Sequence, residues 1–111
     1  MVETNMHLIN SMLETVVHEV QPYRVYLFGS HVEGQVTPDS DVDLLIVEDK
    51  EFPTGNNRWD ELKKIRHTLR SYRVPKDILV YSRSEFDKWR NIPNHIVYHV
   101  FNQGTLLYER H

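Results

Sequence analysis

The chain has 111 residues, of which 40% are hydrophobic and 26% charged, and it carries a formal net charge of −3 with no cysteine. This length predicts one domain with one core over residues 1–111. The lack of cysteine excludes disulfides, thiolate zinc sites and cysteine nucleophiles, and the acidic balance argues against a surface that holds a nucleic-acid backbone.

The sequence shows no signal for export or for a membrane. No basic stretch is followed by an apolar run, and no segment approaches the roughly 18 apolar residues that a membrane span requires. We therefore expect a cytoplasmic protein that does not contact a membrane.

The first half of the chain predicts one helix and two strands. Apolar residues recur at helical spacing over about residues 4–20, and Pro22 ends that helix. Residues 24–28 form a short β-branched and aromatic run that is typical of a strand. Residues 41–47 give the strongest strand signal, and their continuous apolar run from Leu44 onward predicts burial on both faces.

The second half predicts three helices and two strands. The first helix follows from apolar positions at helical spacing, which are Trp59, Leu62, Ile65, Leu69 and Tyr72. A strand over residues 76–81 is followed by a short helix that Ser84 and Asp87 cap. A last helix over residues 94–102 precedes a strand over residues 105–108. The element order predicts an α/β (α+β) domain with a small mixed β-sheet flanked by helices.

Gly29 and Ser30 stand at the end of the first predicted strand, where a helical turn begins. Glycine lets a backbone approach a ligand closely, and the N–H groups at a helix start attract phosphate. These two residues are therefore candidates for binding a phosphorylated ligand. The alternative is that Ser30 caps the helix, with Glu33 as the second residue of a capping box.

Asp41 and Asp43 flank a single residue at the start of the buried strand. Side chains alternate along a strand, so both carboxylates point to the same face, about 7 Å apart. Like charges at that spacing repel unless a cation lies between them, and Mg²⁺ prefers such oxygen ligands. A solvated strand end is the alternative for an isolated Asp-x-Asp.

Asp77 is an acid at the start of the otherwise apolar third strand. It is either an exposed strand end, paired with Lys76, or a third ligand for the same cation.

Known loops for other ligands do not fit this chain: Leu44 replaces the glycine of a calcium loop, and His31 replaces the second glycine of a dinucleotide fingerprint.

Taken together, these residues resemble a known family. Gly29-Ser30, ten intervening residues, Asp41-Val42-Asp43 and an Asp on a later strand are similar to the DNA polymerase beta-like nucleotidyltransferase superfamily. Residues 28–45, and the tail from Ser84 to Glu109, resemble the minimal nucleotidyltransferases of prokaryotic toxin–antitoxin pairs.

The resemblance implies a function and a set of site residues. Asp41, Asp43 and Asp77 would be catalytic and would hold two Mg²⁺ ions, with Asp77 also preparing the attacking hydroxyl. Gly29 and Ser30 would hold the β- and γ-phosphates of ATP. The reaction would transfer AMP to a hydroxyl, expected to be a tyrosine, of a HEPN-domain toxin, so that the chain acts as an antitoxin within a homo- or hetero-oligomer.

One departure from the family pattern affects the short helix after Gly29-Ser30. Family members often carry a basic residue there, whereas this chain has His31 and Glu33. Glu33 near a triphosphate would weaken binding unless it caps the helix or faces solvent. The alternative function is therefore a weak or silent antitoxin that neutralises its partner by docking alone.

His95 and His99 have the spacing of a zinc-binding pair on a helix. No glutamate of a His-Glu-x-x-His motif lies between them, so we interpret them as surface or interface histidines. Nucleic acid is not expected as a partner because of the acidic balance.

Overall fold

The computed structural model describes residues 2–34 and 40–110, without the side chains of residues 2–5, 30 and 33. The described elements are, in chain order, α1 (Val2–Val20), β1 (Arg24–Phe28), α2 (Ser30–Glu33), β2 (Val42–Glu48), α3 (Gly55–Thr68), β3 (Lys76–Ser82), α4 (Arg83–Trp89), α5 (Ile96–Gln103) and β4 (Thr105–Glu109). The four strands lie within one residue of their predicted bounds. No described helix is both long and apolar enough to cross a membrane.

The described strands form one mixed sheet in the order β3-β2-β1-β4. β1 pairs antiparallel with β2 and with β4, whereas β2 and β3 run parallel and are joined through α3. The register places Asp43 opposite Phe28 on one side and opposite Asp77 on the other. The mixed sheet of the predicted α/β (α+β) fold is therefore confirmed.

Helices cover both faces of the sheet. The first face packs against α1 and α3 through a cluster made of Ile9, Met12, Val16, Val25, Leu27, Val42, Leu44, Ile46, Ile65, Leu69, Ile78 and Val80. The second face packs against α4 and α5 through Tyr26, Leu45, Val47, Phe86, Val97 and Val100. Because successive β2 residues enter opposite clusters, this strand is buried on both faces, as predicted.

The predicted cap of α4 is wrong. Ser82, the last residue of β3, caps the helix: its Oγ accepts from the backbone N–H of Glu85 at 3.1 Å, and the Glu85 carboxylate accepts from the Ser82 N–H at 2.8 Å. Ser84 instead donates its hydroxyl to Glu51 at 2.7 Å. The helix starts directly at the strand end, which leaves no room for a cap two residues later.

The predicted apolar face of α3 is partly wrong as well. Trp59 is 50% exposed, while Ile65 and Leu69 are fully buried and Glu61 is 7% exposed. The helix starts earlier than its apolar residues, because Thr54 accepts a hydrogen bond from the Asn57 N–H at 3.3 Å. The basic residues on its outer face, which are Lys63, Lys64, Arg66 and Arg70, are exposed.

Candidate active site

The three aspartates Asp41, Asp43 and Asp77 lie at the edge of the sheet where the parallel strands β2 and β3 begin. Val42 and Leu44 belong to the cluster on the first face, so Asp43 lies on the second face, toward α4 and α5. Ile78 and Val80 place Asp77 on that same second face, directly across the register from Asp43. The fold therefore brings Asp43 and Asp77 to one edge and one face, and Asp41 lies directly before β2 at the same edge.

The environment of Asp43 disfavours the charge of its carboxylate. Burial, followed by the charges of Asp77 and Asp41, raises the pKa of Asp43 from 3.8 to about 6. The other two carboxylates are exposed. Within residues 2–34 and 40–110, no Lys, Arg or His forms an ion pair with any of the three. Lys76, the proposed partner of Asp77, instead donates to the backbone carbonyl of Tyr72 at 2.7 Å.

Gly29 is required by its contact with Asp43. Its φ is +79°, and a Cβ at this position would lie 2.0 Å from Oδ2 of Asp43 and 3.1 Å from its Cγ. Any other residue would collide with the carboxylate and would also strain the backbone. The sequence predicted that Gly29 allows a ligand to approach the backbone closely. In the structure it is the Asp43 carboxylate that approaches Gly29, so Gly29 determines where this carboxylate lies.

α2 follows Gly29 immediately, and its first turn is closed by a hydrogen bond from the Val32 N–H to the Gly29 carbonyl at 3.0 Å. Ser30 is the first residue of this helix, but its side chain and that of Glu33 lie outside the described part of the structure. The predicted phosphate contact of Ser30 and the alternative capping box therefore stay predictions. Nε2 of His31 is buried and has no hydrogen-bond partner among the described residues.

The three aspartates suit a magnesium ion by their chemistry, because their donors are all carboxylate oxygens. They are not gathered into a preformed site: among the described side chains, no three His, Cys, Asp or Glu residues lie close enough to hold a metal ion. Exposed like charges remain apart when no cation lies between them. Asp41, Asp43 and Asp77 are the residues that would hold a cation at this edge of the sheet.

A cavity of about 240 Å³ lies next to the aspartates and was not anticipated from the sequence. Phe28, Gly29 and Val32 line one side, and Ile96, His99 and Gln103 of α5 line the other. We call it the α5 cavity. The three α5 residues are three and four positions apart, so they share one face of the helix. The sequence shows this spacing, but it does not show which element lies opposite that face.

His95 and His99 do not face a common ligand. His95 precedes α5 as its N-cap, accepting from the Val97 N–H at 3.1 Å, and its ring stacks on Trp89 at 4.4 Å. His99 lines the α5 cavity. The two histidines therefore have separate surroundings.

The structure is similar to several solved structures over most of its length. A candidate nucleotidyltransferase from Sulfolobus solfataricus has a TM-score of 0.60 at 21% identity, covering 94% of this chain and 79% of that chain. A toxin–antitoxin structure with AMP-PNP has a TM-score of 0.54 at 18% identity, covering 91% and 73%. A mutant of the toxin–antitoxin pair MntA–HpeT has a TM-score of 0.52 at 16% identity, also covering 91% and 73%.

At these identities the similarity establishes the fold, which is the DNA polymerase beta-like nucleotidyltransferase fold that the sequence predicted. A comparison with curated proteins gave no match. Residues 9–102, which contain Gly29 and all three aspartates, match the family model of the nucleotidyltransferase domain. The chain therefore belongs to the nucleotidyltransferase domain family.

Proposed function

We propose that this nucleotidyltransferase transfers AMP from ATP to a hydroxyl group of a partner protein. The observation that carries the proposal is the position of Asp43. Its carboxylate is half-buried, lies against Gly29 and faces two further acids, without an ion pair among the described residues. An arrangement that disfavours its own charge is stabilised when cations bind, which is what a site for a metal-bound triphosphate needs.

Each residue has a distinct role in this proposal. Asp41 and Asp43 hold two Mg²⁺ ions, and Asp77 completes the site of one of them. When bound, the ions would supply charge neutralisation for the triphosphate. Asp77, at the outer side of Asp43, accepts the proton of the acceptor hydroxyl. The hydroxyl oxygen then bonds to the α-phosphorus while the bond from that phosphorus to the bridging oxygen breaks, and pyrophosphate leaves. Gly29 and Ser30 offer backbone N–H groups to the β- and γ-phosphates.

The acceptor is proposed to be a tyrosine of a HEPN-domain toxin, with this chain as the antitoxin. Asp41 and Asp77 are exposed at an open edge of the sheet, so a hydroxyl on the surface of another protein can reach them. Two of the similar structures are toxin–antitoxin pairs, one of them with AMP-PNP. That likeness supports a macromolecular partner and an adenine nucleotide.

A transfer assay tests this function. The wild-type chain is incubated with labelled ATP, Mg²⁺ and the product of the neighbouring gene as acceptor. Asp43→Asn is the inactive variant, and Asp60→Asn is the matched control because Asp60 is an exposed acid on α3. We expect label on the partner with wild type and Asp60→Asn but not with Asp43→Asn. Equal labelling by all three chains would remove the proposed role of the aspartates.

A docking module is the second candidate. Glu33 is the feature that favours it, because an acid close to a triphosphate would weaken ATP binding. A stable complex with the partner and no transferred label, at saturating ATP and Mg²⁺, would support this function.

The single minimal domain over residues 1–111, its cytoplasmic location and its assembly into an oligomer remain predictions.

A further inference from the structure

The α5 cavity lies on the same face of the sheet as Asp43 and Asp77. Phe28 is the register partner of Asp43 on the neighbouring strand, about 4.8 Å away across the sheet, and Gly29 touches the Asp43 carboxylate. Both residues also line the cavity. A ligand held at the aspartates can therefore extend directly into it.

The cavity and Asp77 lie on opposite sides of Asp43. β3, which carries Asp77, borders β2 on one side, and β1, which ends in Phe28, borders it on the other. The inference rests on the proposed function, in which Asp77 meets the acceptor and Gly29 meets the donor phosphates. The cavity is then on the donor side, and its occupant belongs to the nucleotide.

The lining of the cavity suits a flat uncharged ring. Phe28, Val32 and Ile96 supply apolar surface, while the polar side chains that line it in the described structure are those of His99 and Gln103. Among the described residues that line it there is no Lys, Arg or carboxylate, so these side chains offer a phosphate group no counter-charge. The volume is below the roughly 300–1,000 Å³ of sites for drug-sized ligands, which suits a single ring system.

The geometry points to the α5 cavity as the site for the base of the donor nucleotide, with Gln103 selecting adenine. A glutamine amide presents one donor and one acceptor side by side, which match N7 and the N6 amino group of adenine. Guanine presents two acceptors at the same edge and leaves the glutamine oxygen unpaired. No described residue hydrogen bonds to the Gln103 side chain, so its amide can meet a base.

The first test measures binding rather than transfer. ATP and GTP compete, in the presence of Mg²⁺, with a fluorescent ATP analogue on wild type and on Gln103→Leu. Asn102→Leu is the matched control, since Asn102 is the neighbouring amide on α5 and does not line the cavity. We expect wild type and Asn102→Leu to prefer ATP by about 5- to 100-fold, and Gln103→Leu to lose that preference. An unchanged preference in Gln103→Leu would overturn the role of Gln103.

A second test separates the base from the phosphates. Ile96 is 41% exposed at the cavity, so Ile96→Trp fills the space without disturbing the core, and Ile92→Trp is a control at a residue that is 42% exposed outside it. We expect Ile96→Trp to weaken ATP binding at least about tenfold and to leave inorganic tripolyphosphate binding unchanged. ATP binding that survives in Ile96→Trp, with transfer to the partner lost, would assign the cavity to the acceptor and overturn the inference.

These results are distinguishable from a failure of the proposed function. If the chain transfers no label but binds ATP with a preference that depends on Gln103, the inference about the base site stands and the proposed transfer activity fails. If the chain labels its partner without any preference among nucleotides, and Ile96→Trp does not change its ATP binding, the proposed transfer activity stands and the inference about the base site fails.

Discussion

The two ends of strand β2 both carry carboxylates, but they are provided with different partners. At the start, Asp43 faces Asp41 and Asp77 with no ion pair in the described structure. At the end, Glu48 and Glu61 are 3% and 7% exposed, and Nζ of Lys50 lies 2.8 Å from Glu61 and 3.7 Å from Glu48. One acid cluster has its cation built in, and the other has none among the residues described.

The two glutamates also shift each other's pKa. Burial, followed by the hydrogen bond with Glu61 and its charge, raises the pKa of Glu48 to about 8. Burial acts in the same direction on Glu61, but hydrogen bonds from Glu48 and Lys50 hold its pKa below the ordinary value. One carboxyl is thus neutral and the other ionised, as a buried pair requires. The difference between the two ends indicates that the glutamates serve the fold, whereas the aspartates are arranged to receive a ligand.

The largest effect is expected for Asp43→Asn. The amide keeps the shape of the side chain but loses a metal ligand, so transfer should fall about a thousandfold, or ~4 kcal/mol in activation free energy. Without metal, the same variant should be more stable than wild type by about 1 kcal/mol at pH 8. The folded pKa of Asp43 lies above its ordinary 3.8, so its ionised form costs stability at every pH above about 6. Thermal unfolding in EDTA, beside the transfer assay, checks both signs.

The contrast with the other end of β2 makes this prediction specific. An acid whose charge is paired, such as Glu61 with its lowered pKa, should show the reverse result on mutation to Gln, a less stable protein with unchanged transfer. If Asp43→Asn lowered the unfolding temperature of the metal-free protein, Asp43 would have a structural partner and the distinction between the two ends would be lost.

The second effect concerns Gly29→Ala. Gly29 and Gly34 both have positive φ, at 79° and 77°, but an added Cβ meets Asp43 at Gly29 and no atom of a described residue within 4 Å at Gly34. Both alanine variants should lose about 1 kcal/mol from backbone strain. Only Gly29→Ala should also displace the carboxylate, and a displacement of about 1 Å costs on the order of a hundredfold in transfer. Equal activity in the two variants, measured at saturating ATP, would contradict the proposed role of Gly29.

The third effect is on stability at the far end of β2. Lys50→Met removes the cation from two buried glutamates and should destabilise the protein by about 1–3 kcal/mol, less than for a fully buried pair because Lys50 is half exposed. Lys63→Met is the matched control, since Lys63 pairs with Asp60 at 3.6 Å on the surface, where such a pair contributes about 0.5 kcal/mol or less. Urea unfolding compares the two, and transfer should be unchanged in both. A transfer defect in Lys50→Met would mean that the glutamate pair at the end of β2 also affects the active site at its start.

The strands could be predicted from the sequence because short apolar runs between Gly, Pro and polar residues fix their bounds. The sheet order could not, and it is the sheet order that places Asp77 beside Asp43. The cap of α4 was ambiguous, because Ser82 and Ser84 are each followed by an acid three residues later. Only the end of β3 decides between the two serines.

The buried side of α3 was harder still. Residue type placed Trp59 in the core and left Glu61 unremarked, yet Glu61 is the buried residue of the two. Its burial depends on Glu48 and Lys50, which lie on β2 and the segment after it. The sequence pattern of α3 alone does not show that residues of another element will pack against Glu61. The α5 cavity was missed for the same reason, since it forms only where α5 meets the end of β1.

The smallest effect is a pH dependence that belongs to the glutamate pair alone. The folded pKa of Glu48 is about 8, above its ordinary 4.5, so the protein should lose stability as pH rises through that interval. Between pH 7 and 8, above the pKa of Asp43, wild type should lose about 1 kcal/mol relative to Glu48→Gln, which has no proton to release. The difference in urea unfolding free energy between the two proteins at each pH isolates Glu48. Parallel pH profiles would mean that Lys50 neutralises both glutamates without a shared proton.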